Sequence, residues 1–264
     1  MLKQLCVLTF AILILINLPF TSAAPLKLKT DSNLNANSCI ACHSTTFSPT
    51  ELGNKYLEWH FSAHKDKGVS CDQCHGGNPK AMGKEKSHEG MLPAQELTSK
   101  INQWNQPETC GKCHRSTVKA FVESKHYQRL KSSETGPSCA TCHGHMGASV
   151  IYSPSEIANL CASCHSTING VSPTRLDISK RARSVMESLQ RTDYLVSWAN
   201  LLLMRAKERK QSVSAEQEEM KTINSAMKAA LDEWHSFDLN SVGDRYDVIF
   251  DQARILKERL AKKN

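Results

Sequence analysis

Five times along the chain a cysteine is followed by any two residues, a second cysteine and, at once, a histidine. The copies are Cys39/Cys42/His43, Cys71/Cys74/His75, Cys110/Cys113/His114, Cys139/Cys142/His143 and Cys161/Cys164/His165. They take ten of the eleven cysteines; the other, Cys6, lies near the N-terminus. Each thiol pair can add to the two vinyl groups of a porphyrin, and the next residue then sits under the iron. A histidine there offers an imidazole nitrogen as axial ligand, so the pattern reads as c-type haem attachment. A zinc site wants four ligands from two such pairs and has no use for a histidine after every second cysteine. A disulfide framework has no use for those histidines either. The expected cofactors are five covalently bound haem c groups, the ten cysteines binding them and the five motif histidines ligating iron.

Such a chain needs little sheet. Aromatics are only 6% of its residues, and five apolar macrocycles would supply much of its core. Glycine and proline punctuate the motif region (Gly76-Gly77-Asn78-Pro79, Gly136-Pro137, Gly144, Gly147). Short helices and loops wrapped around haems are the expectation, each motif on one helical turn that turns both thiols and the imidazole to one face. From Leu176 onward only Gly243 interrupts, and apolar residues recur every three or four positions. Three helices are predicted: about 178–210, 214–237 with a Ser214/Gln217 capping box, and from near 241. The fold class is mostly α with almost no β. The expected organisation is a cleaved signal peptide (1–23), a flexible arm (24–38), a multihaem region (39–172) and a C-terminal helical segment packing on it (173–264).

The leader reads as a signal peptide because Lys3 precedes an apolar run from Leu5 to Leu18, broken only by Thr9 and Asn17. Pro19 follows it, then small residues up to Ala23. The run is shorter than the roughly 20 residues needed to span a bilayer, so no membrane span is expected in the mature form. Export to a periplasm or the cell exterior is the expectation. The formal charge of +7 does not point to nucleic acid. A bis-histidine ferric haem carries about one net negative charge with its propionates, so five would bring the holoprotein close to neutral.

Six histidines remain outside the motifs: His60, His64, His88, His126, His145 and His235. Five haems need five more ligands to be six-coordinate, and neutral imidazole is a good iron ligand. His64 and His126 occupy equivalent places in an internal repeat. Phe61-Ser62-Ala63-His64 leads through Gly68-Val69-Ser70 into Cys71, and Phe121-Val122-Glu123-Ser124-Lys125-His126 leads through Gly136-Pro137-Ser138 into Cys139. His145 is too close to His143 to reach the far face of the same haem, so it would serve a neighbour. His235 follows Trp234 on the apolar edge of the second long helix, and His88 stands in a polar loop. These five are the candidate distal ligands. His60 is the odd one out, and Met91 and Met146 are competitors wherever histidine is lacking.

The run Trp59-His60-Phe61-Ser62-Ala63-His64, the motifs at Cys71 and Cys139, His143-Gly144-His145 and the closing Trp234-His235 resemble the multihaem cytochrome superfamily. That superfamily contains hydroxylamine oxidoreductase, cytochrome c nitrite reductase and the tetrahaem carrier of ammonia oxidation. The resemblance implies haems stacked close enough for fast electron tunnelling, His145 serving a neighbouring haem, and terminal helices like those that build dimers. No motif carries lysine in place of histidine as in nitrite reductase. The chain has five motifs where hydroxylamine oxidoreductase has eight haems, and it is shorter than either enzyme. These departures favour an electron carrier with no catalytic residues, meeting other cytochromes or a membrane quinol-oxidising complex, with a homo-oligomer formed through the C-terminal helices. The alternative is a small nitrogen or sulfur oxyanion reductase or oxidase with one five-coordinate haem.

Overall fold

Residues 34, 36–46, 48, 50–133, 135–166 and 174–263 are described by the structure, a computed structural model. The leader over 1–23, most of the arm over 24–38 and the junction at 167–173 lie outside the described residues. Among the described residues there are thirteen α-helices, one 3-10 turn and no strand. Ten helices belong to the motif region: α1 (Ser38–His43), α2 (Thr50–His60), α3 (Ala63–Asp66), α4 (Cys71–His75), α5 (Lys84–Ser87), α6 (Gln106–Cys110), α7 (Arg115–Val122), α8 (Lys125–Ser133), α9 (Cys139–His143) and α10 (Pro154–His165). Then come α11 (Leu176–Glu208), α12 (Ser214–Glu233), the 3-10 turn Trp234–Ser236 and α13 (Leu239–Lys263).

The three long helices bury one stripe each. Ala182, Val185, Leu189, Val196, Ala199, Leu203 and Ala206 of α11 meet Met220, Ile223 and Met227 of α12. Tyr246, Ile249, Ala253, Leu256 and Leu260 of α13 close the same core, as three- and four-residue spacing requires. Leu231, on the same stripe of α12, stays partly exposed. Thr192 ties α11 to α13, its hydroxyl donating to Ser188 O at 2.7 Å and Tyr246 O at 3.3 Å. The Ser214/Gln217 box does not form, because Val213 holds the N-cap position. Val213 is buried in the core, which starts the helix one residue earlier than the polar pattern implies. The motif region joins this bundle through Ile157 of α10, through Gln190 Nε2 donating to Tyr152 O at 2.6 Å, and through Thr117 Oγ1 donating to Asp232 Oδ1 at 2.8 Å.

The internal repeat has a capping logic. Ser62 is the buried N-cap of α3, its hydroxyl accepting from Lys65 N. Ser124 is buried just ahead of α8 and accepts from Tyr127 N at 3.0 Å. In each copy the serine satisfies a free N–H of the first turn and so sets the histidine two residues on in that turn. The two repeat glycines answer different needs. Gly68 sits at φ +74°, a region costly for residues with a Cβ. Gly136 lies so close under α8 that a Cβ would come within 2.3 Å of His126 O and Leu130 N. Backbone cannot yield as a rotamer can, so Gly136→Ala is expected to cost about 1–3 kcal/mol or more. A lowered thermal midpoint, with disturbed spectra of the haem facing His126, would check this.

Candidate functional site

Four of the five motifs lie on a helical turn: on α1, α4 and α9, and at the end of α10. The third departs from expectation. Cys110 ends α6, and Cys113 and His114 follow in a turn held by N–H donation from both to Cys110 O, at 3.2 and 3.0 Å. His114 then caps α7. Local hydrogen bonds fix these turns. Asn37 caps α1, accepting from Cys39 N at 3.0 Å and Ile40 N at 3.3 Å, and donates from Nδ2 to Asp72 Oδ1 of α4 at 3.0 Å. Gln106 Oε1 accepts from Ser138 Oγ at 2.7 Å and Ala140 N at 2.9 Å, which locks the third motif to the fourth. Neither Asn37 nor Gln106 was among the expected site residues. Asn37, an Asx residue two positions ahead of a helical motif, carried a capping signal; Gln106 carried none.

The thiols run in one file. Burial, then the neighbouring Cys39, pushes the Cys71 thiol up to about 11. Burial raises Cys74 too, and its next neighbours are Cys110 and Cys113. Cys110 and Cys139 share a hydrogen bond that raises the first and lowers the second. Burial, then Cys161 and Cys164, pushes Cys142 up to about 11. Motif one therefore adjoins two, two adjoins three, three adjoins four and four adjoins five. The spatial order is the order of the sequence.

The ten motif cysteines differ in exposure. Cys42 and Cys113 are exposed, whereas the other eight are half-buried. The motif partner of Cys42, Cys39, adjoins Cys71 of α4. What meets Cys42 is local: its carbonyl accepts from the hydroxyls of Thr45 and Thr46, both at 2.9 Å. Cys113 is exposed because it stands in the turn between α6 and α7 rather than on a packed helix. Of the first motif's thiols and imidazole, Cys39 and His43 are half-buried and Cys42 is exposed.

Four motif histidines face a second imidazole. His43 faces His88 with ring centroids 6.0 Å apart and planes at 61°. His114 faces His64 at 6.1 Å and 60°. His165 faces His126 at 6.1 Å and 40°, and His143 faces His235 at 6.1 Å and 27°. Two imidazoles sharing one metal, each nitrogen about 2 Å away, would have centroids about 6 Å apart. The four pairs match that spacing.

Protonation suits the same role. Burial lowers His64, His43 and His235 below the ordinary range, with the facing histidine as the next cause. His126 falls to about 4 by burial and then His165. These rings are neutral near pH 7, as a metal ligand must be. Among the eight rings of the four pairs, three have Nδ1 held by a carbonyl. His88 Nδ1 donates to Lys84 O at 2.6 Å, His143 Nδ1 to Ser149 O at 2.8 Å and His235 Nδ1 to Asp232 O at 3.3 Å. A carbonyl can only accept, so Nδ1 is the donor in each and Nε2 is the nitrogen left to face a metal.

Facing imidazoles beside paired thiols fit a porphyrin slot. A small-ion cluster would look different: no group of three or more His, Cys, Asp or Glu converges among the described residues. The fourth slot is an apolar cleft between α11 and the 3-10 turn, lined by Cys142, His143, Ile157, Leu189, Trp234 and His235.

All eleven histidines are described, so the remainder can be placed. Among the described residues no ring faces His75 at the spacing of the other four. Met91 lies beside that motif, its sulfur 3.0 Å from where a Cβ on Gly77 would be. His145, expected to serve a neighbouring haem, is exposed and meets no motif histidine. Its loop folds back through Ser149 N donating to His143 O at 3.0 Å. His60 stacks on Tyr56 at 5.7 Å and meets Phe61 edge-on at 5.1 Å.

Two family models match the chain in separate stretches. Residues 20–76, which hold motifs one and two, match the family described as cytochrome c554 and c-prime. Residues 95–176, which hold motifs three to five, match cytochrome c7 and related cytochrome c. Neither description names hydroxylamine oxidoreductase or nitrite reductase. Among known proteins the chain is similar to the C-type polyheme cytochrome OmcC of Geobacter sulfurreducens, 26% identical over 117 residues. It is also similar to OmcB of the same species, 27% identical over 122 residues. Each alignment covers 42% of this chain but only 14% of the relative, so the chain spans a small part of the proteins it matches. No solved structure matches it significantly. The class these observations define is a multihaem c-type cytochrome with covalently attached haem.

Proposed function

We propose that the protein is an exported pentahaem carrier that passes electrons along a file of haems in sequence order. The four facing imidazole pairs carry this reading. Paired imidazoles hold iron six-coordinate, which suits outer-sphere electron transfer and leaves no face for substrate. The haems supply the redox chemistry when bound. The chain's own residues hold them in register: thiols tether, carbonyls orient the imidazoles, and Gln106 and Asn37 fix one attachment turn to the next. The exposed Cys42 and Cys113 keep their tethering role, since a thioether bond needs reach to a vinyl group and not burial.

His75 favours a second reading on one point. With no imidazole facing it, its haem is the place for small-ligand chemistry such as reduction of a nitrogen or sulfur oxyanion. Electron paramagnetic resonance of the oxidised holoprotein tests the main proposal. Four low-spin haems are expected, two with narrow inter-ring angles and two with wide ones, plus one high-spin haem at His75. Two or more high-spin haems would sink the carrier reading. Turnover of nitrite, hydroxylamine or tetrathionate with a reduced dye would move the protein to the second reading.

The carrier's partners are proposed to be other cytochromes or a membrane quinol-oxidising complex. No helix among the described residues is long and apolar enough to cross a membrane. A homo-oligomer through the C-terminal helices is supported by the exposed Tyr194, Trp198, Leu201 and Met204 along α11. Light scattering on the holoprotein, with Trp198→Ser as the disrupting variant, tests it.

A further inference from the structure

We propose that Phe237 is a positioning residue that sets the distal imidazole of the fifth haem and forms the wall shared by the fourth and fifth sites. The inference rests on reading His126/His165 and His143/His235 as axial pairs. Phe237 is one of three non-glycine residues with positive φ among those described, at +58°. Such a backbone is strained and persists only where its surroundings hold it. Here Phe237 N donates to Trp234 O at 3.0 Å, and Asp238 Oδ1 caps α13 by accepting from Asn240 N and Ser241 N, both at 3.2 Å. The hydroxyl of Ser241 closes the turn on Glu233 Oε1 at 2.7 Å.

The strained turn points the phenyl ring at His126. The centroids are 4.3 Å apart and the rings nearly perpendicular, at 71°. Phe121 braces Phe237 from another side at 6.3 Å and 73°. Phe237 also lines the fourth slot with Cys142, His143 and His235. His126 needs such a wall. His88, His143 and His235 have Nδ1 held by a carbonyl, whereas His126 Nδ1 is buried without a hydrogen-bond partner. No hydrogen bond from that nitrogen stops its ring turning about the iron–nitrogen axis. Contact with the Phe237 ring supplies the restraint on His126, one of the two rings that make the 40° angle.

That angle is readable, because the relative orientation of two axial imidazoles sets the anisotropy of low-spin ferric iron. The test is low-temperature electron paramagnetic resonance of the holoprotein. His126→Ala marks the fifth-haem signal by converting it to high-spin, and His235→Ala marks the fourth. Phe237→Gly removes the ring and accepts the positive φ without strain. It is expected to shift or broaden the signal marked by His126→Ala while those of the haems at His43 and His114 keep their g-values. Phe237→Tyr, which keeps the ring, is expected to restore the parent spectrum. Should Phe237→Gly fail to fold, Phe237→Asn serves, since asparagine tolerates this backbone region. Unchanged g-values for the marked signal in a variant that folds with all its haems would overturn the proposal. If His126→Ala itself left every low-spin signal in place, the axial pairing would fall, and the role of Phe237 with it.

Discussion

His235→Ala is expected to turn one haem of the holoprotein from low-spin to high-spin. His235 stands on a 3-10 turn outside the motif region, yet its ring faces His143 at 6.1 Å, and Nδ1 is tied to Asp232 O. No other described histidine ring faces His143, so removing this one leaves the fourth haem one protein ligand short. Roughly one-quarter of the low-spin intensity should move to high-spin features, visible optically and by electron paramagnetic resonance. His235→Met should keep that haem six-coordinate and raise its potential, because a thioether donor favours ferrous iron. Carbon monoxide binding to the reduced alanine variant, exceeding that of the parent by one haem, would identify the vacated face. A spectrum like the parent's would mean that another residue ligates this iron.

The second large effect should come from the middle of the file. Cys110→Ala with Cys113→Ala removes the tether of the third haem, which adjoins the second through Cys74 and the fourth through Cys139. Tunnelling falls off exponentially with distance, so a missing central haem should separate two outer pairs that otherwise equilibrate rapidly. Pulsed reduction would read this as one fast internal phase in the parent and two disconnected phases in the variant. The mass should drop by one haem. The same deletion at motif five should shorten the file without dividing it, and rapid equilibration among the remaining haems should survive. A branched arrangement, in which the second motif also reached the fourth directly, would leave the central variant with a single phase.

Much of this organisation is legible in the sequence. The haem attachment and the helical stripes from Ala182 to Leu260 rest on local spacing, which a linear text displays directly. His64 and His126 stand out because the same Ser-x-His phrase recurs, and the buried serine N-caps explain the recurrence. Which histidine meets which motif is not legible. Pairing depends on how loops fold back over tens of residues, and no period records that. His145 shows the limit: closeness to His143 excludes its own haem, but says nothing of whether a neighbour lies in reach. The loop closed by Ser149 leaves it exposed. The exposure of Cys42 is not legible either, since its motif reads like the others. The third motif departs from a regular helix because α6 ends at Cys110 and His114 begins the next element. The file order is hidden as well, since only packed thiols reveal it.

The direction in which each distal histidine reaches bears on how the molecule is put together. His64 and His126 each reach past the motif that follows them to the one after, while His88 and His235 reach back to motifs already passed. A chain emerging from its N-terminus therefore completes its centres out of numerical turn. The fifth, at the far end of the row, has both its histidines once residue 165 is out. The fourth must wait for residue 235. Nascent protein lacking its tail would hold one immature centre inside the row, and the last long helices act as the keystone that completes it.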